Sequence, residues 1–157
     1  MEDRSQDRLA ARLELESGYR FRVSFDDGHP DLITDLRPPL GKGAGPEPED
    51  LLAAAVGNCL ASSFLYCARK ARIEPEALRV EVTTTKRRRE SRLRISRIEV
   101  RLQPVLLASD RTRLRVCLDK FESYCTVAES VRQGIPLQVM VEPITKRVPS
   151  TLEPTAA

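Results

Sequence analysis

The sequence contains no Trp, one His and only seven Phe or Tyr residues among 157. A single imidazole excludes a metal centre built on several His, and any catalysis that needs a second His. The four cysteines, Cys59, Cys67, Cys117 and Cys125, include no pair at the C-x2-4-C step usual for zinc. A metal centre is therefore not expected. The opening residues MEDRSQDRLA are charged and lack the apolar segment of a signal peptide. A cytoplasmic, reducing setting is expected, in which the cysteines are thiols rather than a disulfide frame. The longest apolar run, residues 51–68 (LLAAAVGNCLASSFLYCA), is broken by Asn58, Ser62 and Ser63 and is rich in Ala. It reads as a buried central helix and not as a membrane span.

What is present suits one folded domain. Apolar residues make up 41% and the net charge is only +3, which excludes wholesale disorder. One domain over residues 1–157 is expected, with its core at about 10–143 and a frayed tail rich in Pro, Thr and Ser. The charge is uneven: residues 69–115 carry net +9 and the remainder net −6. The run KRRRESRLR, from Lys86, has the composition of a nucleic-acid footprint. However, no aromatic residue lies between Lys86 and Arg101 to stack on a base, and its second half alternates with apolar residues. It reads as the wet face of a hairpin, and nucleic acid is not an expected partner.

The pattern predicts an α+β order, βββ-α-ββ-αα-β. Leu13 and Leu15 alternate with charged residues; after Ser17-Gly18, Tyr19, Phe21, Val23 and Phe25 share one face. That is an amphipathic hairpin, with a short third strand expected at 31–35. His29 falls in an exposed turn. Residues 36–48 hold four Pro and three Gly and must be a loop. Pro48 suits the first turn of a helix, with Glu49 and Asp50 at its positive end and basic residues near Lys70–Arg72 at the other.

Alternation then resumes through Leu78, Val80 and Val82, and again through Leu93 and Ile95. Ile98, Val100 and Leu102 alternate in the opposite phase, which predicts a β-bulge at Ser96-Arg97. TKRRRES is the expected hairpin tip. Ser109 is a candidate cap for a helix presenting Leu114, Cys117, Leu118 and Phe121 on one face. A break at 122–124 precedes Cys125, a short helix at 126–133 ends at Gly134, and a last strand is expected at 137–142.

Cys59 lies deep in the central helix among small residues (Ala53, Ala54, Ala55, Gly57, Ala61), which favour close packing. Cys125 falls at a helix start, where free amide N–H groups favour a thiolate. Cys59 has no such help, so a nucleophilic role would require a cation from outside the helix. Cys67 and Cys117 read as core residues.

The segment GAGPEPEDLLAAAVGNCLAS, followed by ESYCTVAESVRQGI, resembles the OsmC/Ohr family of thiol-dependent peroxidases. The resemblance covers about residues 10–143 and implies antiparallel sheets around a long central helix in an interleaved homodimer. It implies that Cys59 is the peroxidatic thiolate that becomes a sulfenic acid, and that Cys125 resolves it to a disulfide. It also implies a role for Glu49, ten residues before Cys59, and for an upstream Arg. Arg37 is the first candidate for that Arg, with Arg20 and Arg22 as alternatives from the hairpin; the carboxylate would hold the guanidinium. The implied substrate is an organic hydroperoxide, the implied reductant a dithiol such as a lipoyl group, and the implied chemistry uses no metal or organic cofactor.

Two further points bear on that reading. Thr126 stands where the family commonly has Pro after the second Cys. Ten residues of continuous helix put Glu49 ~15 Å along the axis from Cys59, so its carboxylate would serve a neighbouring subunit's site unless the first turn unwinds. The alternative function is an OsmC-like dimer that binds an apolar ligand or senses redox state without efficient turnover.

Overall fold

The period-2 pattern near the N-terminus folds as expected, into a hairpin extended by a third strand. The structure is a computed structural model and describes residues 10–26, 28–107 and 111–134. β1 (Ala11–Ser17) and β2 (Arg20–Phe25) pair antiparallel, and β3 (Leu32–Thr34) adds to the far edge of β2. The turn is Gly18-Tyr19, one residue later than the sequence suggests, and Gly18 takes the left-handed φ of +56° that the turn demands. Leu13 faces Val23 and Leu15 faces Phe21 across the ladder. Val23 is buried, yet Leu13 and Leu15 remain 59% and 61% exposed, so β1 offers an uncovered apolar face.

The Pro/Gly loop is organised by a buried carboxylate. Asp35 Oδ2 accepts from the backbone N–H groups of Lys42 (3.0 Å) and Ala44 (3.1 Å). The loop folds so tightly that a Cβ at Gly45 would lie 2.0 Å from the Ile33 carbonyl oxygen. It delivers the chain to α1 (Pro48–Lys70), which begins with Pro and two acids and ends with Arg69 and Lys70. By length and composition α1 could cross a membrane. Here its Val56, Leu60, Phe64 and Ala68 form the spine of the core.

α1 lies on a long two-stranded sheet, β4 (Ala77–Arg89) and β5 (Arg92–Val105). Gly57 is the point of closest approach, because a Cβ there would sit 2.6 Å from Val82 Cγ2. The phase flip is a bulge, as expected: Thr85 pairs with Arg97 and Lys86 with Ile95, leaving Ser96 extra. Ser96 Oγ donates to the Thr85 carbonyl at 3.1 Å. The expected tip needs correction. TKRRR continues β4, and the turn is only Glu90-Ser91, both left-handed (φ 51° and 63°).

α2 (Arg111–Leu118), one 3-10 turn (Phe121–Tyr124) and α3 (Thr126–Gln133) then pack against α1. Cys117, Phe121, Cys125 and Ala128 complete the core. Phe121 was expected on the α2 face but belongs to the 3-10 turn, where its ring meets Phe64 edge-on at 5.9 Å. Leu118 is 48% exposed, because the helix ends there and its apolar stripe goes no further. The Ser109 cap and the strand at 137–142 lie outside the described residues.

Candidate active site

Two thiols from distant parts of the chain meet inside the core. Cys59 is half-buried on α1, and Cys125 is fully buried at the residue that caps α3. The irregular turn before it places Cys125 in extended backbone (φ −85°, ψ 97°), which frees the first amides of α3. The Ala128 N–H then points at Cys125 Sγ from 3.4 Å. Cys59 packs against the cluster that holds Cys125, and both the Cys59 thiol and the Ser63 hydroxyl are close enough to act on the Cys125 thiol. Ser63 is buried one helical turn beyond Cys59.

The expected thiolate preference at the start of α3 is overridden. Burial raises the Cys125 pKa above the usual 9.0, the Cys59 thiol raises it further, and the Ala128 N–H and Ser63 hydroxyl only partly offset this. The helix end supplies its donor, but removal of the sulfur from water dominates. The buried thiol is therefore held protonated.

In the single chain the charged candidates are held by partners other than the thiols. Arg37 is held by Asp50, Nη2 to Oδ2 at 3.1 Å, and by Glu47, Nη1 to Oε2 at 3.5 Å. Its backbone N–H also donates to Glu47 Oε1 at 3.0 Å. Glu49, the carboxylate expected to hold Arg37, instead accepts from Lys86 Nζ at 3.0 Å. Its pKa is lowered by its own backbone amide and then by Lys86. The reason is local: Asp50 faces back toward the start of α1, accepting the Glu47 N–H at 3.0 Å, and so meets the loop that carries Arg37. Glu49 points toward the β4–β5 sheet. Arg20 pairs with Glu16 (2.8 Å), while Arg22 pairs with Glu16 and with Asp31 (3.3 Å). None of these cations forms a hydrogen bond or ion pair with Cys59 among the described residues.

The sequence pattern marks neither Ser63 nor Lys86 as a site residue. The i+4 step from Cys59 to Ser63 was available as a signal, since it places both on one face of α1. Lys86 had none, being one cation in a basic run. Beside the thiols, a cavity of about 290 Å³ opens between α1, β5 and α3. Val56, Leu60, Val100 and Phe121 give it apolar walls, and Glu122 and Arg132 supply charge; neither cysteine lines it.

A model of the family described as OsmC-like protein matches residues 41–140. The chain belongs to the OsmC family. This covers α1, both strands of the long sheet and the α2–α3 segment, with Cys59 and Cys125 both inside the match. Solved OsmC-family structures share the fold at low identity. An OsmC-like protein of unknown function from Vibrio cholerae is 17% identical with a TM-score of 0.69, over 80% of this chain and 94% of that one. An organic hydroperoxide resistance protein OsmC from Legionella pneumophila is 19% identical (TM-score 0.61), covering 82% and 91%. The organic hydroperoxide resistance protein OhrB of Bacillus subtilis is 21% identical (TM-score 0.53), covering 80% and 92%. No curated protein matches the chain. The α+β, OsmC-like fold expected from the sequence is thus the fold observed.

Proposed function

We propose that this OsmC-family protein is a thiol-dependent peroxidase that reduces organic hydroperoxides to alcohols. The observation that carries this reading is the facing pair of thiols, half-exposed Cys59 and wholly buried Cys125. The Cys59 thiolate attacks the distal peroxide oxygen, the O–O bond breaks, and the departing alkoxide takes a proton to become the alcohol. Cys59 is left as a sulfenic acid. Cys125 then attacks the Cys59 sulfur; hydroxide leaves with the Cys125 proton as water, and a Cys59–Cys125 disulfide remains. A dithiol, such as a lipoyl group in a reducing cytoplasm, restores both thiols by two exchanges and becomes a cyclic disulfide. Ser63 and the Ala128 amide steady the Cys125 sulfur during its attack.

The working unit in this reading is a homodimer. The exposed Leu13 and Leu15 face supports it, as does the engagement of Arg37 and Glu49 with partners other than Cys59 in one chain. Arg37 and Glu49 then complete the site from a neighbouring subunit, where Arg37 supplies the cation that Cys59 lacks. A monomer at micromolar concentration in sedimentation would count against the dimer. The apolar cavity favours a second reading, a module that binds an apolar ligand or senses redox state without efficient turnover. Rapid-mixing with cumene hydroperoxide separates the two. A peroxidase consumes one equivalent per chain before any reductant is added, whereas a pocket thiol consumes it slowly.

A further inference from the structure

The other two cysteines are not scattered core residues. Cys67 is half-buried on α1, and its Sγ reaches the Cys117 carbonyl at 3.6 Å. Cys117 is 1% exposed on α2, and its Sγ reaches the Phe64 carbonyl at 3.8 Å. Each sulfur thus lies against the backbone of the other segment, and burial followed by the neighbouring Cys67 thiol pushes the Cys117 pKa up to about 12. Cys67 lies eight residues beyond Cys59 on α1, and Cys117 eight residues before Cys125, so the pairs form two rungs between antiparallel segments. Between the rungs, Phe64 meets Phe121, and the Tyr66 ring meets Tyr124 at 5.8 Å. Eight residues of helix separate the rungs by ~12 Å along α1, too far for direct exchange between them in this packing.

We propose that Cys67 and Cys117 form a second redox-active dithiol, a latch that closes by exchange with a low-molecular-weight disulfide and ties α2 to α1. Cys67, the more accessible sulfur, attacks one sulfur of the small disulfide, and one thiolate leaves. Cys117 then attacks the Cys67 sulfur of the mixed disulfide, and the second thiolate leaves. The two thiol protons pass to the leaving thiolates. The balance is one protein dithiol and one small disulfide in, one protein disulfide and two small thiols out. A dithiol runs the same steps backwards. The latch bridges the segment that leads directly into Cys125, so its state reports the oxidised fraction of the surrounding thiol pool at the doorstep of the first rung. Nothing in this step requires peroxide, so it stands or falls independently of the peroxidase reading.

The test is disulfide mapping of the native full-length protein after equilibration with oxidised glutathione. Free thiols are alkylated, and the digest is read by mass spectrometry. Trypsin releases Cys117 in the peptide Val116–Lys120 and Cys125 in Phe121–Arg132, while Cys59 and Cys67 share the peptide Gly43–Arg69. The expected result is Val116–Lys120 linked to Gly43–Arg69 with loss of its alkyl label, reversed by dithiothreitol. The Cys59→Ala/Cys125→Ala variant should keep that link and lose two hydrogens in intact mass. Cys67→Ser should abolish it. Val116–Lys120 still fully alkylated in the native protein, or linked to Phe121–Arg132 instead, overturns the proposal. If a variant fails to fold, chymotrypsin cleavage of the linked native peptide after Phe64 separates Cys59 from Cys67, and a link that stays with the Cys59 half overturns the proposal.

Discussion

Cys59 and Cys125 are neighbours across the seam between α1 and the start of α3, one half-buried and the other wholly buried. That asymmetry assigns an order to their chemistry. Cys125 is kept protonated by burial and is shielded from reagents, so at neutral pH iodoacetamide should label Cys59 at least about tenfold faster than Cys125. Timed alkylation read by mass spectrometry checks this. Cys125 labelled first would mean that the seam opens before Cys59 reacts.

The Ser63 hydroxyl and the Ala128 amide are the groups that lower the Cys125 pKa against its burial. Replacing Ser63 with Ala removes one of them, and a hydrogen bond of this kind is worth ~1–2 kcal/mol. Resolution of the Cys59 sulfenate should slow roughly 5- to 30-fold, with sulfenate formation unchanged. A sulfenate-trapping dione, added at successive times after a hydroperoxide pulse, separates the two steps. Equal slowing of both would assign Ser63 a role in shaping α1 instead.

Much of this geometry is legible in the sequence, for reasons that can be named. The hairpin and the bulge at Ser96 follow from the period-2 alternation of apolar residues, and the central helix from its long Ala-rich apolar run behind Pro48. The hairpin tip is not legible, because Thr85–Arg89 are polar on both faces and carry no alternation to distinguish strand from turn. The two thiol rungs join residues 66 and 50 positions apart, and a buried Cys is in itself ordinary core. The family resemblance marks Cys59 and Cys125; nothing in the pattern marks Cys67 with Cys117. Arg37 goes to Glu47 and Asp50 because the geometry of the helix start is local and takes the carboxylates nearest the loop.

Gly57 holds α1 against β4. Gly57→Ala gains about 1 kcal/mol of helix propensity but forces Val82 aside, and such overpacking costs about 1–3 kcal/mol. A net loss of up to ~2 kcal/mol is expected, read as a lower urea midpoint. Pairing it with Val82→Ala should recover the helix gain, minus the cost of the smaller core residue. A stabilised single variant would show that the approach of helix and strand is looser than the geometry indicates.

Asp35 anchors the loop that carries Arg37. Its carboxylate is held below the usual 3.8 chiefly by the Ala44 amide, with the Lys42 and Leu36 amides and Arg20 adding to the effect. A depressed folded-state value means that the folded protein binds this proton less readily than the unfolded chain. Its stabilisation is complete above the ordinary carboxylate range and is lost as pH falls through the folded value. Asp35→Asn should therefore be less stable than the parent at pH 7, with the difference shrinking below about pH 4. Denaturant titrations across that range provide the check, and a difference independent of pH would contradict it.

The central claim is that Cys59 turns over hydroperoxide. The most direct measurement is steady-state consumption of cumene hydroperoxide with reduced lipoamide as the electron source, comparing the native protein with Cys59→Ser and Cys125→Ser. Turnover by the native protein and the uncatalysed rate with Cys59→Ser are the expected results. With Cys125→Ser a single round that leaves a sulfenate and recycles poorly is expected. Full turnover by Cys59→Ser would contradict the claim.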